Sequence, residues 1–143
     1  LDQHRFLTVI TNSLAIAQQL LDAGGATVVM PGGRLRSETA SLIGLDGLGM
    51  LDQFNIRKGF FGAHGITVEE GLTDVSAEEA DVKRPLVARC RQVIAVLDAT
   101  KWGQVGVATF ATLDQVDAII TNREAAGDLV EQVKTLGPEI ILV

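Results

Sequence analysis

The residues best equipped for chemistry are Asp98 and Lys101, in the run Val93-Ile94-Ala95-Val96-Leu97-Asp98-Ala99-Thr100-Lys101-Trp102-Gly103. A carboxylate placed three residues before an ammonium can accept hydrogen bonds from hydroxyls, while the lysine meets a phosphate or polarises a carbonyl. The apolar run ahead of Asp98 is rich in β-branched residues. It predicts a short strand buried on both faces, as a parallel sheet requires. Open parallel sheets bind ligands beyond the carboxyl ends of their strands, and the pair falls at such an end. The plain alternative is a salt bridge that closes the turn.

Other strand ends have the same character. Thr11-Asn12 follows the apolar run Leu7–Ile10, and Pro31-Gly32-Gly33 follows Ala26–Met30. Gly62-Ala63-His64-Gly65 follows Lys58–Phe61, and Thr121-Asn122 follows Val116–Ile120. In a parallel sheet these ends emerge at one edge. They offer backbone N–H groups, hydroxyls, one acid and one base, an inventory that suits a small polar anion such as a sugar phosphate. Each has a structural alternative. Thr11 and Asn12 can simply cap a helix, and Gly32-Gly33 can simply turn the chain. His64 has only small neighbours to pack against, which favours a ligand-facing role. Trp102 either lids the site or packs against the helix layer. Glu79 and Lys83 stand four apart in the favourable order, as a surface ion pair does. Cys90, in an apolar helix segment without a basic partner, reads as a core thiol.

The elements that must position these residues alternate. A helix from Leu14, capped by Thr11, Asn12 or Ser13, stops at Gly24-Gly25. Residues 37–53 read as partly helical and broken by glycines. Ile66 to Val75 reads as a long polar loop. Ser76 and Glu79 form a capping box opening a helix to about Cys90, which Pro85 should kink or divide. A short linker follows the Asp98 loop. A last helix, Glu124 to Leu136, is stopped by Gly137-Pro138, and Glu139 to Val143 forms the final strand. The pattern predicts an α/β fold: an open, mainly parallel sheet with helices on both faces.

Bulk properties narrow the function. At 143 residues the chain is long enough for one domain, read as residues 1–143. Tyrosine is absent and aromatics make up 4%, so an aliphatic core is expected. Acidic residues outnumber basic ones 18 to 12, for a net charge of −6. The densest basic cluster, Lys83, Arg84, Arg89 and Arg91, is too thin for a DNA-binding face, so these residues alone are expected not to bind nucleic acid. A single cysteine excludes an internal disulfide and fits a reducing, cytoplasmic setting. No apolar run has transmembrane length, and no partnership with a membrane is expected. No cofactor is expected either: the dinucleotide, Walker, zinc and nucleophile-elbow patterns are all missing. The chain opens on Leu1 rather than Met, with residues 1–6 reading as the tail of an upstream segment.

In order along the chain stand the Thr-Asn strand end, the Gly-Gly turn, G-A-H-G-I followed by E-E-G-L-T, E-A-D-V-K-R, L-D-A-T-K-W-G and I-I-T-N. This ordered set resembles the C-terminal effector-binding (sensor) domain of DeoR-type bacterial transcriptional regulators, over nearly the whole chain. The resemblance implies a fold related to ribose-phosphate and glucosamine-phosphate isomerases and a phosphorylated sugar as effector. It also implies DNA contact only through an N-terminal winged helix-turn-helix domain, and a homo-oligomer. Carried over by position, the ligand-binding candidates are Thr11, Asn12, Gly32, Gly33, Gly65, Lys83, Asp98 and Lys101; His64 joins them from its own surroundings. Family members usually carry a strand and a Gly-Thr-Thr phosphate loop before the segment matching residues 1–6. These residues lack both, along with the DNA-binding domain, so the phosphate end of the site is expected to lie outside them. Pro85-Leu86 also stands where the family usually has a non-proline residue and a methionine.

Two other functions compete. A sugar-phosphate isomerase or deaminase of the same fold would use Asp98 or Glu70 as base and Lys101 as electrophile. An oligomerisation module would retain only a vestigial pocket.

Overall fold

A computed structural model describes residues 7–44, 47–125 and 127–143; the expected tail at residues 1–6 lies outside them. The chain divides into two compact units, Leu1–Phe54 and Asn55–Val143.

In the first unit, strands β1 (Leu7–Ile10) and β2 (Ala26–Val29) pair in parallel, linked by helix α1 (Leu14–Ala23). Ser13 is the cap that the chain uses: its Oγ accepts the Ile16 N–H at 3.3 Å. Gly24 ends α1 at φ 70°, a conformation that strains any residue with a Cβ. The partly helical reading of residues 37–53 is corrected. Strands β3 (Arg34–Arg36) and β4 (Ser41–Ile43) form an antiparallel hairpin, followed by a 3-10 turn at Leu48–Gln53. Strands of three residues are too short to show an alternating pattern. The hairpin turn places Ala40 at φ 47°.

The second unit runs β5 (Lys58–Phe61), β6 (Gly65–Thr67), β7 (Gly71–Asp74), α2 (Ala77–Arg89), β8 (Gln92–Leu97), β9 (Ala108–Ala111), β10 (Ala118–Thr121), α3 (Asp128–Thr135) and β11 (Glu139–Leu142). Four strands make a wholly parallel sheet in the order β11-β10-β8-β5. Alternation of strand and helix thus produces an α/β fold with a mainly parallel sheet, as its sequence pattern predicts. Val93, Ile94, Ala95 and Leu97 are buried in β8, but Val96 is 48% exposed, so the strand is not covered on both faces throughout.

The polar loop predicted at Ile66 to Val75 is instead a hairpin: β6 and β7 pair antiparallel, and β7 pairs with β9. Both hairpin strands are buried along their length. Their polar residues mislead because they are satisfied internally. Thr73 Oγ1 donates to the Gly65 carbonyl at 3.3 Å and accepts the Gly106 N–H at 2.7 Å. The short linker likewise contains β9 and a 3-10 turn at Leu113–Gln115.

Ser76 caps α2 as its sequence predicts, accepting the Glu79 N–H at 3.2 Å. Pro85 does not divide the helix. Ala80, Val82 and Val87 are buried, and α2 packs on β9 and β7, so tertiary burial outweighs one lost backbone bond. The last helix is shorter than expected, with a 3-10 turn at Arg123–Ala125 preceding α3. The core of this unit is mostly Ile, Leu, Val and Ala, with Phe61 and Phe110 joining it at a ring separation of 6.2 Å. Cys90 packs against this core, and burial raises its thiol pKa above the ordinary value.

Candidate functional site at the carboxyl edge

Strands β5, β8 and β10 run parallel, so the segments after them share one edge. After β8, Asp98 caps a single 3-10 turn, Ala99–Lys101. Its Oδ1 accepts the Thr100 N–H at 2.8 Å and also the Thr100 hydroxyl. The hydroxyl bond, then the backbone bond, hold the Asp98 carboxyl below its ordinary pKa; the Lys101 charge adds to this and desolvation opposes it. What closes the turn is Thr100, together with the Lys101 N–H donating to the Asp98 carbonyl at 3.1 Å. The carboxylate itself stands exposed at the sheet edge.

The end of β10 anchors that turn. Asn122 Oδ1 accepts the Ala99 N–H at 2.6 Å, and Asn122 Nδ2 donates to Glu124 Oε2 at 2.6 Å. Trp102 packs against the core and donates its indole N–H to buried Thr121 at 3.1 Å. It is a packing residue with a satisfied polar end.

After β5, the Gly62–Gly65 loop carries His64, whose side chain is exposed while its N–H donates to the Thr73 carbonyl at 2.9 Å. Gly65 is buried, and a Cβ there would lie 2.0 Å from the Gln104 carbonyl oxygen. Gly103 N–H donates to the Ile66 carbonyl at 2.9 Å. The histidine loop and the Asp98–Gly103 segment therefore abut through backbone, and only a glycine fits between them. Lys83 approaches the same loop from α2. Its Nζ donates to the Gly62 carbonyl at 2.8 Å and to the Asp74 carboxylate, 4.8 Å from the centre of the Phe110 ring. This inward role replaces the expected surface pair with Glu79. Glu70, the alternative base, accepts the Thr67 hydroxyl on its Oε2.

The first unit holds the remaining candidates. Thr11-Asn12 and Gly32-Gly33 follow the parallel pair β1 and β2, and so lie toward one edge of that pair. Thr11 N–H donates to the Val29 carbonyl at 3.0 Å, and Thr11 Oγ1 accepts the Ser13 N–H at 3.2 Å. Asn12 Nδ2 donates to the Leu42 carbonyl at 3.1 Å, while its own carbonyl accepts the Leu42 N–H at 2.8 Å. Asn12 thus grips β4, as Asn122 grips the Asp98 turn. Gly33, at φ 148°, packs so tightly on β4 that a Cβ would lie 2.5 Å from the Ile43 carbonyl oxygen. A hollow of about 450 Å³ is lined by Gly33, Arg34, Ile43 and Gly44.

Three supporting residues were absent from the sequence-derived set: Asp74, Thr100 and Asn122. Thr100 and Asn122 sit inside motifs already singled out. Asp74 falls in the segment read as a loop, where nothing marked it as buried.

The carboxyl edge of the parallel sheet thus carries an acid, a base, a histidine and a close-packed glycine, at the kind of edge where open α/β sheets bind ligands. Comparison with known proteins places it more narrowly. The family model described as the DeoR C-terminal sensor domain matches residues 1–123, and the chain belongs to that family. Among curated relatives, the HTH-type transcriptional regulator GolR of Listeria innocua is 35% identical over 118 residues, covering 82% of this chain and 46% of the relative. The HTH-type transcriptional regulator IolR of Bacillus subtilis is 30% identical over 123 residues, 86% of this chain and 49% of the relative. The glycerol-3-phosphate regulon repressor of Escherichia coli is 29% identical over 119 residues, 83% of this chain and 47% of the relative. The chain spans about half the length of these relatives. Among the described residues no helix is long and apolar enough to cross a membrane.

Proposed function

We propose that this chain is the effector-sensing part of a DeoR-type repressor, binding a phosphorylated sugar and passing its occupancy to a separate helix-turn-helix domain. The observation that carries the reading is membership of the sensor-domain family over residues 1–123. The relative named as a glycerol-3-phosphate regulon repressor supports a small phosphorylated polyol or sugar as effector. In the second unit, Asp98 accepts ligand hydroxyls, Lys101 makes a charge-assisted bond to the ligand, and His64 adds a donor or acceptor from the neighbouring loop. Gly65 and Lys83 shape that loop. In the first unit, Thr11, Asn12, Gly32 and Gly33 offer a hydroxyl and backbone N–H groups. The regulator is a cytoplasmic homo-oligomer, and its sensor does not contact DNA: a net charge of −6 repels the phosphate backbone. Binding acts by its differential affinity for two arrangements of the regulator.

The domain senses and does not catalyse. An isomerase needs an acid and a base across the reacting carbons, whereas Asp98 and Lys101 share one turn and the Glu70 carboxylate is engaged by Thr67. Calorimetric titration with glycerol phosphate, ribose phosphate and glucosamine phosphate tests the reading. At least one should give saturable heat that its dephosphorylated counterpart does not. Equal heats from the phosphorylated and neutral compounds would overturn it.

A further inference from the structure

We propose that Asp74 and Lys83 form a strap that fixes the Gly62–Gly65 loop, and that Lys83 serves the ligand site through this loop rather than by touching the ligand. The second clause rests on the sensor reading above; the first stands without it.

Lys83 reaches from α2 to the end of β5, where its ammonium meets the Gly62 carbonyl at 2.8 Å and the Asp74 carboxylate. The side chains are 23% and 10% exposed, so the pair is screened from water much more than a surface ion pair. Phe110, 2% exposed, lies 4.8 Å beneath the ammonium. Charge, hydrogen bonds and ring thus already satisfy Lys83. Drawing it onto a ligand phosphate would leave the buried Asp74 carboxylate without its counter-charge, which opposes the exchange.

Asp74 is fixed in turn. Its carbonyl accepts the Val107 N–H at 2.8 Å, and a Cβ at Gly106 would lie 2.3 Å from that carbonyl oxygen. The preceding Thr73 carbonyl accepts the His64 N–H at 2.9 Å. One end of β7 therefore holds the loop twice: directly at His64, and through Lys83 at Gly62. Asp74 is a positioning residue for His64.

The experiment uses Asp74→Asn and Lys83→Met in the full 143-residue chain, with two readouts. Amide hydrogen exchange at His64 reports the loop without any ligand. Titration with ribose phosphate and glucosamine phosphate reports the site. Under the strap, each change speeds His64 exchange by about tenfold or more, the effect expected of one charged hydrogen bond, while Ile119 exchange stays slow. Asp74→Asn also weakens ligand binding, by a factor similar to Lys83→Met. If Lys83 instead held the phosphate, Asp74→Asn would release the ammonium and tighten binding. Tighter binding in Asp74→Asn, or unchanged His64 exchange in both variants, overturns the proposal. Should Asp74→Asn fail to fold, Lys83→Met decides: lost affinity with unchanged His64 exchange refutes the strap. If no sugar phosphate binds the unaltered chain, the sensor reading falls and His64 exchange still judges the strap.

Discussion

Asn122 Oδ1 accepts the Ala99 N–H at 2.6 Å, joining the end of β10 to the turn that presents Asp98 and Lys101. The acid and base thus owe their placement to a neighbouring strand as well as to their own. Asn122→Ala leaves the Ala99 N–H without its acceptor. It should cost about 1–3 kcal/mol of stability, read from denaturant unfolding, and weaken sugar-phosphate binding in calorimetry. Wild-type values in both would show that the Asn122 bond does not position the turn.

Thr100 sets the titration of Asp98. Thr100→Val removes the hydroxyl bond and keeps the backbone bond, so the Asp98 carboxyl should move back up toward the ordinary aspartate value. Because its folded pKa is depressed, Asp98 favours the folded state above the unfolded-state pKa, and that contribution is lost as pH falls through the folded value. Near neutral pH the group is a carboxylate in both proteins. Carboxyl NMR titration should therefore show a higher Asp98 midpoint in Thr100→Val and equal charge at neutral pH; an unmoved midpoint contradicts the hydroxyl's role.

Glycines in the histidine loop have different jobs. A Cβ at Gly65 would meet the Gln104 backbone at 2.0 Å, whereas one at Gly62 meets nothing within 4 Å. Gly65→Ala should cost about 1–3 kcal/mol or more as the two segments are forced apart, while Gly62→Ala should be tolerated. Thermal unfolding of the pair checks this, and equal midpoints would contradict the close approach.

Much of this was legible in the sequence. The strands read at Leu7–Ile10 and Lys58–Phe61 formed with the predicted bounds, and Ser76 capped its helix. The ordered strand-end motifs led to the correct family. Legibility failed where side-chain type misreports burial. Thr73 and Asp74 are polar yet buried, because partners outside their own turn of chain satisfy them. Lys83 looked like half of a local helix pair, but its partners are nine and twenty-one residues away. Pro85 looked like a kink or a division, and the helix runs on past it undivided. Local spacing exposes helix faces and caps; pairings set by tertiary structure leave no such period.

The central claim is that this domain binds a sugar phosphate without transforming it, and Lys101 tests it most directly. Wild type and Lys101→Met are titrated with ribose phosphate and glucosamine phosphate, and the same mixtures are followed for isomerised or deaminated product. Lys101→Met should lose about 1.5–3 kcal/mol of affinity, the worth of a charge-assisted bond to the ligand, with no product formed by either protein. Steady turnover by the wild type that Lys101→Met abolishes would contradict the account and make the domain an enzyme.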